Sequence, residues 1–151
     1  IEELKSNNFI PDVIIVDYAD LLDPRGISKD NKYLAMEQVY KDLKTLANKH
    51  NCAVWTASQV HRVGKDVNEE DSNFVYTRKN IADSYAKVRY SDLLITLNRT
   101  RLEKDSNRMR VYVDKYRDDE CKQLITIQTQ YENMQPYVPG AASYDRFFGN
   151  T

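Results

Sequence analysis

The chain has 151 residues, 41% of them hydrophobic, 30% charged and 11% aromatic, with a formal net charge of −1. That length is enough for a domain with a real core, and charge so near balance excludes a polybasic protein whose whole surface attracts phosphate. Cys52 and Cys121 are too far apart for a paired-cysteine zinc motif, and no apolar run approaches the ~20 residues that span a bilayer.

The first element is Val13-Ile14-Ile15-Val16, β-branched throughout. An apolar run without alternation predicts a strand buried on both faces, as in a parallel sheet. Asp17 ends it, and Asp23-Pro24-Arg25-Gly26 makes a loop. From Asn31 to His50, Met36, Val39, Leu43, Leu46 and Ala47 recur at spacings of three and four, one face of an amphipathic helix. Ala53 to Ser58 reads as a second buried strand, so the order strand, helix, strand predicts a right-handed βαβ unit. His61 to Asn80 has no sustained period, and a patternless stretch that long inside a domain marks a functional or a mobile segment. Ile81 to Tyr90 reads as a short helix with Ile81, Tyr85 and Val88 on one side, and Leu93 to Leu97 as a third buried strand. Arg99 to Arg108 is a charged connection. Met109 to Arg117 then alternates, with Met109, Val111 and Val113 on the core face. Lys122 to Tyr131 alternates again with Ile125 and Ile127. These last two predict an antiparallel hairpin added to the sheet. From Gln135 onward, Pro136, Pro139, Gly140 and Gly149 predict an irregular tail. The expected organisation is an α/β domain over 1–134 followed by a tail over 135–151.

Three places could carry chemistry. Asp17 stands at the carboxyl end of a parallel strand, where open α/β sheets bind ligands. Four apolar residues followed by Asp is also the Walker B pattern, whose carboxylate holds a nucleotide's magnesium; the plainer reading is a cap on the next turn. Ser58-Gln59 ends the next strand. Gln59 offers both a donor and an acceptor, enough either to sense a terminal phosphate or simply to satisfy backbone. Lys115 and Arg117 are two apart on a strand, so they share a face about 7 Å apart along it. They point past the core edge towards an anion, or towards Asp118, Asp119 and Glu120 on a solvated rim. Phe74 and Tyr76 either stack on bases or pin their loop to the body. His50 and His61 are isolated and suggest no metal site or triad.

Jointly these segments resemble the DnaB-type replicative helicases, particularly those of bacteriophages. Pro11 to Tyr18 resembles the family's Walker B strand, and Ala53 to Val60 its strand ending in Ser-Gln. Asp83-Ser84 through Ser91-Asp92 resembles the segment before the next strand, and Val113-Asp114-Lys115-Tyr116-Arg117 the Lys-x-Arg segment. The similarity covers roughly residues 10 to 131. It implies a RecA-like ATPase of the P-loop NTPase type that assembles as a hexameric ring around single-stranded DNA. In the intact protein it would use ATP and Mg2+ and partner with a primase or helicase loader. It would have no membrane association and would work in the cytoplasm of a bacterial cell or phage-infected host.

Within that resemblance Asp17 binds the magnesium, and Gln59 couples nucleotide state to a DNA-contacting loop. Lys115 and Arg117 neutralise the transferring phosphoryl group in a neighbouring subunit. Arg62, Lys65, Arg78 and Lys79 are DNA-binding candidates in that loop, which also holds Asp66, Glu69, Glu70 and Asp71; Arg25 and Lys29 form a second candidate. One departure is large: G-x-x-x-x-G-K-[ST] occurs nowhere. The chain, which begins at Ile1 and not Met, therefore reads as the carboxyl-terminal half of the ATPase core, expected neither to bind nor to turn over ATP alone. Lacking the P-loop strand, its sheet is expected to leave two open edges, leading to self-association, altered strand order or completion by another segment. Two other readings remain. One is a RecA/RadA- or KaiC-like ATPase fragment, the other a non-enzymatic interaction module with a decayed site.

Overall fold

The structure is a computed structural model that describes residues 1–24, 31–60, 71, 73–81, 85–117, 122–140 and 143–146. It divides into two compact units, Ile1–Gln59 with Ala82–Ser91, and Val60–Ile81 with Asp92–Thr151.

The first unit contains α1 (Glu2–Ser6), β1 (Val13–Val16), α2 (Lys32–His50), β2 (Ala53–Thr56) and α3 (Tyr85–Tyr90). β1 and β2 pair in parallel, with Val13 opposite Ala53 and Val16 opposite Thr56, as the βαβ pattern predicts. The Asn31 side chain accepts from Leu34 N at 3.2 Å and caps α2, which ends where Asn51 turns left-handed with φ 49°. Met36, Val39 and Leu43 lie on the predicted core face, joined by Tyr40, and pack around the fully buried Ala19. The expectation of strands buried on both faces is corrected here. Ile14, Val16 and Val54 are half-buried, but Val13, Ile15 and Trp55 on the opposite face are 50%, 78% and 49% exposed. An apolar run reveals a strand; it does not say how many layers cover it. In α3 the inward residues are Ala86, Lys87 and Val88, whereas Tyr85 is largely exposed. Ile81 is not part of this helix and forms an isolated bridge with Val60 in the second unit.

The second unit is an antiparallel sheet in the order β3-β4-β5-β6. Its strands are β3 (Leu93–Asn98), β4 (Arg108–Tyr116), β5 (Gln123–Gln128) and β6 (Ser143–Arg146), with α4 (Arg101–Asp105) between β3 and β4. The predicted β4–β5 hairpin is present, with Val111 opposite Ile125. Leu93 to Leu97, predicted as the third strand, forms β3 and pairs antiparallel with β4. The described strands thus form two sheets with no ladder between β2 and β3. Two elements arise where none was expected. Within the charged connection, Thr100 and Glu103 form a reciprocal capping box, with Glu103 N donating to Thr100 Oγ1 and Thr100 N to Glu103 Oε2. Within the tail, β6 adds to the free edge of β5.

β4 also reverses an expectation. Its more buried face is the even one, Arg110, Tyr112 and Asp114, while Met109, Val111 and Val113 are only half-buried. The reason lies in residues 74–78, whose backbone is satisfied by polar side chains of that face. Asn98 Oδ1 accepts from Tyr76 N, Thr96 Oγ1 donates to Tyr76 O, Arg110 Nη1 donates to Phe74 O, and Asp114 Oδ2 accepts from Arg78 N. A segment that joins no ladder needs such partners, so here the polar face becomes the covered one.

Candidate functional site

At the carboxyl ends of β1 and β2 the chain builds a polar rim. Thr56 Oγ1 donates to Val16 O at 2.9 Å and accepts from Ala19 N at 2.8 Å, fixing the turn that carries Asp17. Ala19–Leu21 then forms one turn of 3-10 helix. The Asp17 and Gln59 side chains are exposed, Asp17 directly after β1 and Gln59 three residues past the end of β2, and Gln59 Nε2 donates to Tyr18 OH at 3.3 Å. Behind them Asp20 gathers three donors: Lys87 Nζ at 2.7 Å, Ser58 Oγ at 3.0 Å and Tyr40 OH at 3.0 Å. Sequence reasoning missed Asp20, Tyr40 and Lys87. The acidic residue three places after Asp17 was a visible signal, whereas nothing in the pattern marked Lys87 as buried.

Burial, then the Asp20 charge and the hydrogen bond to it, push the Tyr40 phenol well above its usual range. A raised folded pKa favours the native state fully below the ordinary tyrosine value near 10, and that contribution is lost progressively at higher pH. Tyr40→Phe should therefore flatten the decline in stability above about pH 10, as followed by thermal denaturation in alkaline buffers.

The remaining candidates fall in the second unit. Lys115 is half-buried on β4, and Arg117 lies just past its end, where Nη1 donates to Asp92 Oδ1 at 3.1 Å. Both members of that pair are exposed, at 65% and 50%. The alternative partners Asp118, Asp119 and Glu120 lie outside the described residues, as do Arg25, Lys29, Arg62 and Lys65. Arg78 pairs with the buried Asp114 at 3.1 Å, and its Nη2 also reaches the Asp114 carbonyl; Lys79 is exposed. Phe74 and Tyr76 stack edge to face at 5.1 Å, with their backbones held by the sheet as described above. They line a cavity of about 330 Å3 where the Arg99 guanidinium lies 5.1 Å from the Tyr131 ring centroid.

Among the described residues no group of three His, Cys, Asp or Glu side chains could enclose a metal ion. A single exposed carboxylate such as Asp17 fits magnesium in another way, since that ion keeps several waters and takes phosphate oxygens alongside one or two carboxylates. Among the described residues no helix is long and apolar enough to cross a membrane.

No family model matches the chain, and no curated protein matches it. Solved structures do. The chain is similar to a DnaB-like replicative helicase whose structure was described together with its interactions with primase. The identity is 20% and the TM-score 0.64, over 78% of this chain and 28% of that one. It is also similar to a second solved helicase ATPase domain, at 21% identity and a TM-score of 0.66, over 80% of this chain and 42% of that one. The chain spans less than half the length of either structure. At such identities the likeness is one of fold: the chain has the RecA-like fold found in part of the DnaB-type helicase ATPase domain.

Proposed function

We propose that the chain is the carboxyl-terminal part of the ATPase core of a ring-forming DNA helicase that moves along single-stranded DNA. The observation that carries this reading is the placement of Asp17 and Gln59, both exposed, on the segments that leave the carboxyl ends of the paired parallel strands. Ligands of open α/β sheets bind at that rim, and the two groups suit a bound nucleotide. Asp17 would hold the nucleotide's magnesium, which when bound would supply charge neutralisation and orientation. Gln59 hydrogen-bonds the terminal phosphate and, through the chain that follows it, reports its presence to the DNA-contacting loop.

Lys115 and Arg117 act on a neighbouring protomer's nucleotide, and Lys79 with the basic residues of the loop contacts the DNA backbone. Partners are single-stranded DNA, further copies of the subunit, and a primase or loader. The chain alone has no P-loop to cradle phosphates, so it neither binds nor hydrolyses ATP appreciably.

Two measurements test this. Calorimetric titration of the 151-residue chain with ATP and magnesium should give no binding, and low-micromolar affinity would contradict the reading. In the intact protein, Gln59→Ala should leave ATP affinity nearly unchanged yet cost roughly 10²-fold in DNA-stimulated turnover, the usual loss for one misplaced donor at a developing charge.

A further inference from the structure

Lys87 combines features that do not normally coexist. It sits on the short helix α3 between the core residues Ala86 and Val88, and its side chain is only 3% exposed. Its Nζ donates to Asp20 Oδ2 at 2.7 Å and to Ser58 Oγ at 2.9 Å, and lies 6.0 Å from the Tyr40 ring centroid. Asp20 and Ser58 are also bonded directly to each other, which closes a triangle. Taking an ammonium out of water is costly and is offset only by such a set of partners; an apolar side chain of similar length would fill the space without that penalty. Packing alone therefore does not account for a lysine here.

What the triangle joins is more informative. Asp20 belongs to the turn that begins at Asp17, and Ser58 is the residue immediately before Gln59. The ammonium ties these segments together without touching either Asp17 or Gln59, whose side chains stay exposed at the rim.

We infer that Lys87 is a positioning residue for Gln59: through Ser58 and Asp20 it fixes the point from which the glutamine side chain reaches towards a bound phosphate. This rests on the nucleotide-site reading above. Loss of the ammonium leaves the direct Ser58–Asp20 hydrogen bond as the remaining side of the triangle, so the backbone at residue 59 is held less firmly relative to the Asp17 turn. ATP still binds, but the Gln59 amide is no longer held at the terminal phosphate. The effect thus appears in turnover and not in affinity.

A double-mutant cycle in the intact protein tests it. Lys87→Met should lower DNA-stimulated kcat by about tenfold or more with KM for ATP within about twofold, and the Lys87→Met/Gln59→Ala protein should be no slower than Gln59→Ala alone by more than about twofold. Ser58→Ala, which removes one hydroxyl and spares the ion pair, should reproduce the kcat loss in part if Lys87→Met fails to fold. Effects that multiply in the double mutant would overturn the inference, as would a lowered melting temperature with unchanged kcat. If Gln59→Ala alone leaves turnover intact, the nucleotide-site reading falls instead. The side-chain amide resonance of Gln59 in the 151-residue chain then decides whether Lys87 positions it. Lys87→Met or Ser58→Ala should shift and narrow its dispersion, and an unmoved resonance in both folded variants refutes the role.

Discussion

On the proposed reading, replacing Arg117 by alanine in the intact protein should reduce ATP turnover by roughly 10³-fold or more while leaving each subunit's own ATP binding in place, as expected of an arginine supplied in trans. Arg117 lies beyond the last residue of β4 with its guanidinium largely in solvent, paired with the exposed Asp92. A surface pair of this kind contributes at most about 1 kcal/mol, so exchanging the carboxylate for a phosphoryl group costs little. The same exposure means that the substitution should leave unfolding almost unchanged. If Arg117 acts across a subunit interface as proposed, doping the variant into wild-type assemblies should lower activity non-linearly with mole fraction. A loss strictly proportional to mole fraction would show that Arg117 serves its own subunit.

Glu103→Ala should cost the second unit about 3–5 kcal/mol in urea unfolding, the range for removing one partner of a buried ion pair. Arg110 is 5% exposed, with Nε 2.6 Å from Glu103 Oε1 and Nη2 3.2 Å from Oε2. Without the carboxylate a buried guanidinium loses its counter-charge, and α4 loses half of its capping box. The pH dependence has a defined sign. Burial pushes the Glu103 carboxyl upward, but the Thr100 backbone hydrogen bond and then the Arg110 hydrogen bond and charge outweigh it, so its pKa is lowered. Its contribution is therefore complete above the ordinary glutamate value near 4.3 and is lost as pH falls through the lower folded value. Glu103→Gln should show a smaller loss at neutral pH and a flatter acid limb below about pH 4.3.

Much of this architecture could be read before any coordinates. Four consecutive β-branched residues located β1, the three-and-four spacing of Met36, Val39 and Leu43 located α2, and the alternation at Val111 and Ile125 gave the hairpin. Asp17 directly follows β1, as its strand pattern indicated, whereas β2 stops at Thr56 and leaves Gln59 three residues beyond it. Coverage was not legible, because periodicity identifies an element and says nothing of what lies over it. Val13 and Ile15 are as apolar as Ile14 and Val16, yet the first two face outward. On β4 the alternation was read correctly and its inward side was not, since the covering segment offers backbone groups that seek Thr96, Asn98 and Arg110. Lys87 was invisible for a related reason: its partner Asp20 lies 67 residues away in sequence, and only the fold brings a charge that distant into the core.

The open side of the parallel pair has a practical corollary. Trp55, the sole indole of the chain, stands there half in water beside Val13 and Ile15. Anything that comes to rest on that surface must desolvate it and move its emission to shorter wavelength. The polypeptide thus carries its own optical gauge of occupancy, with no added label and no second tryptophan to confuse the signal.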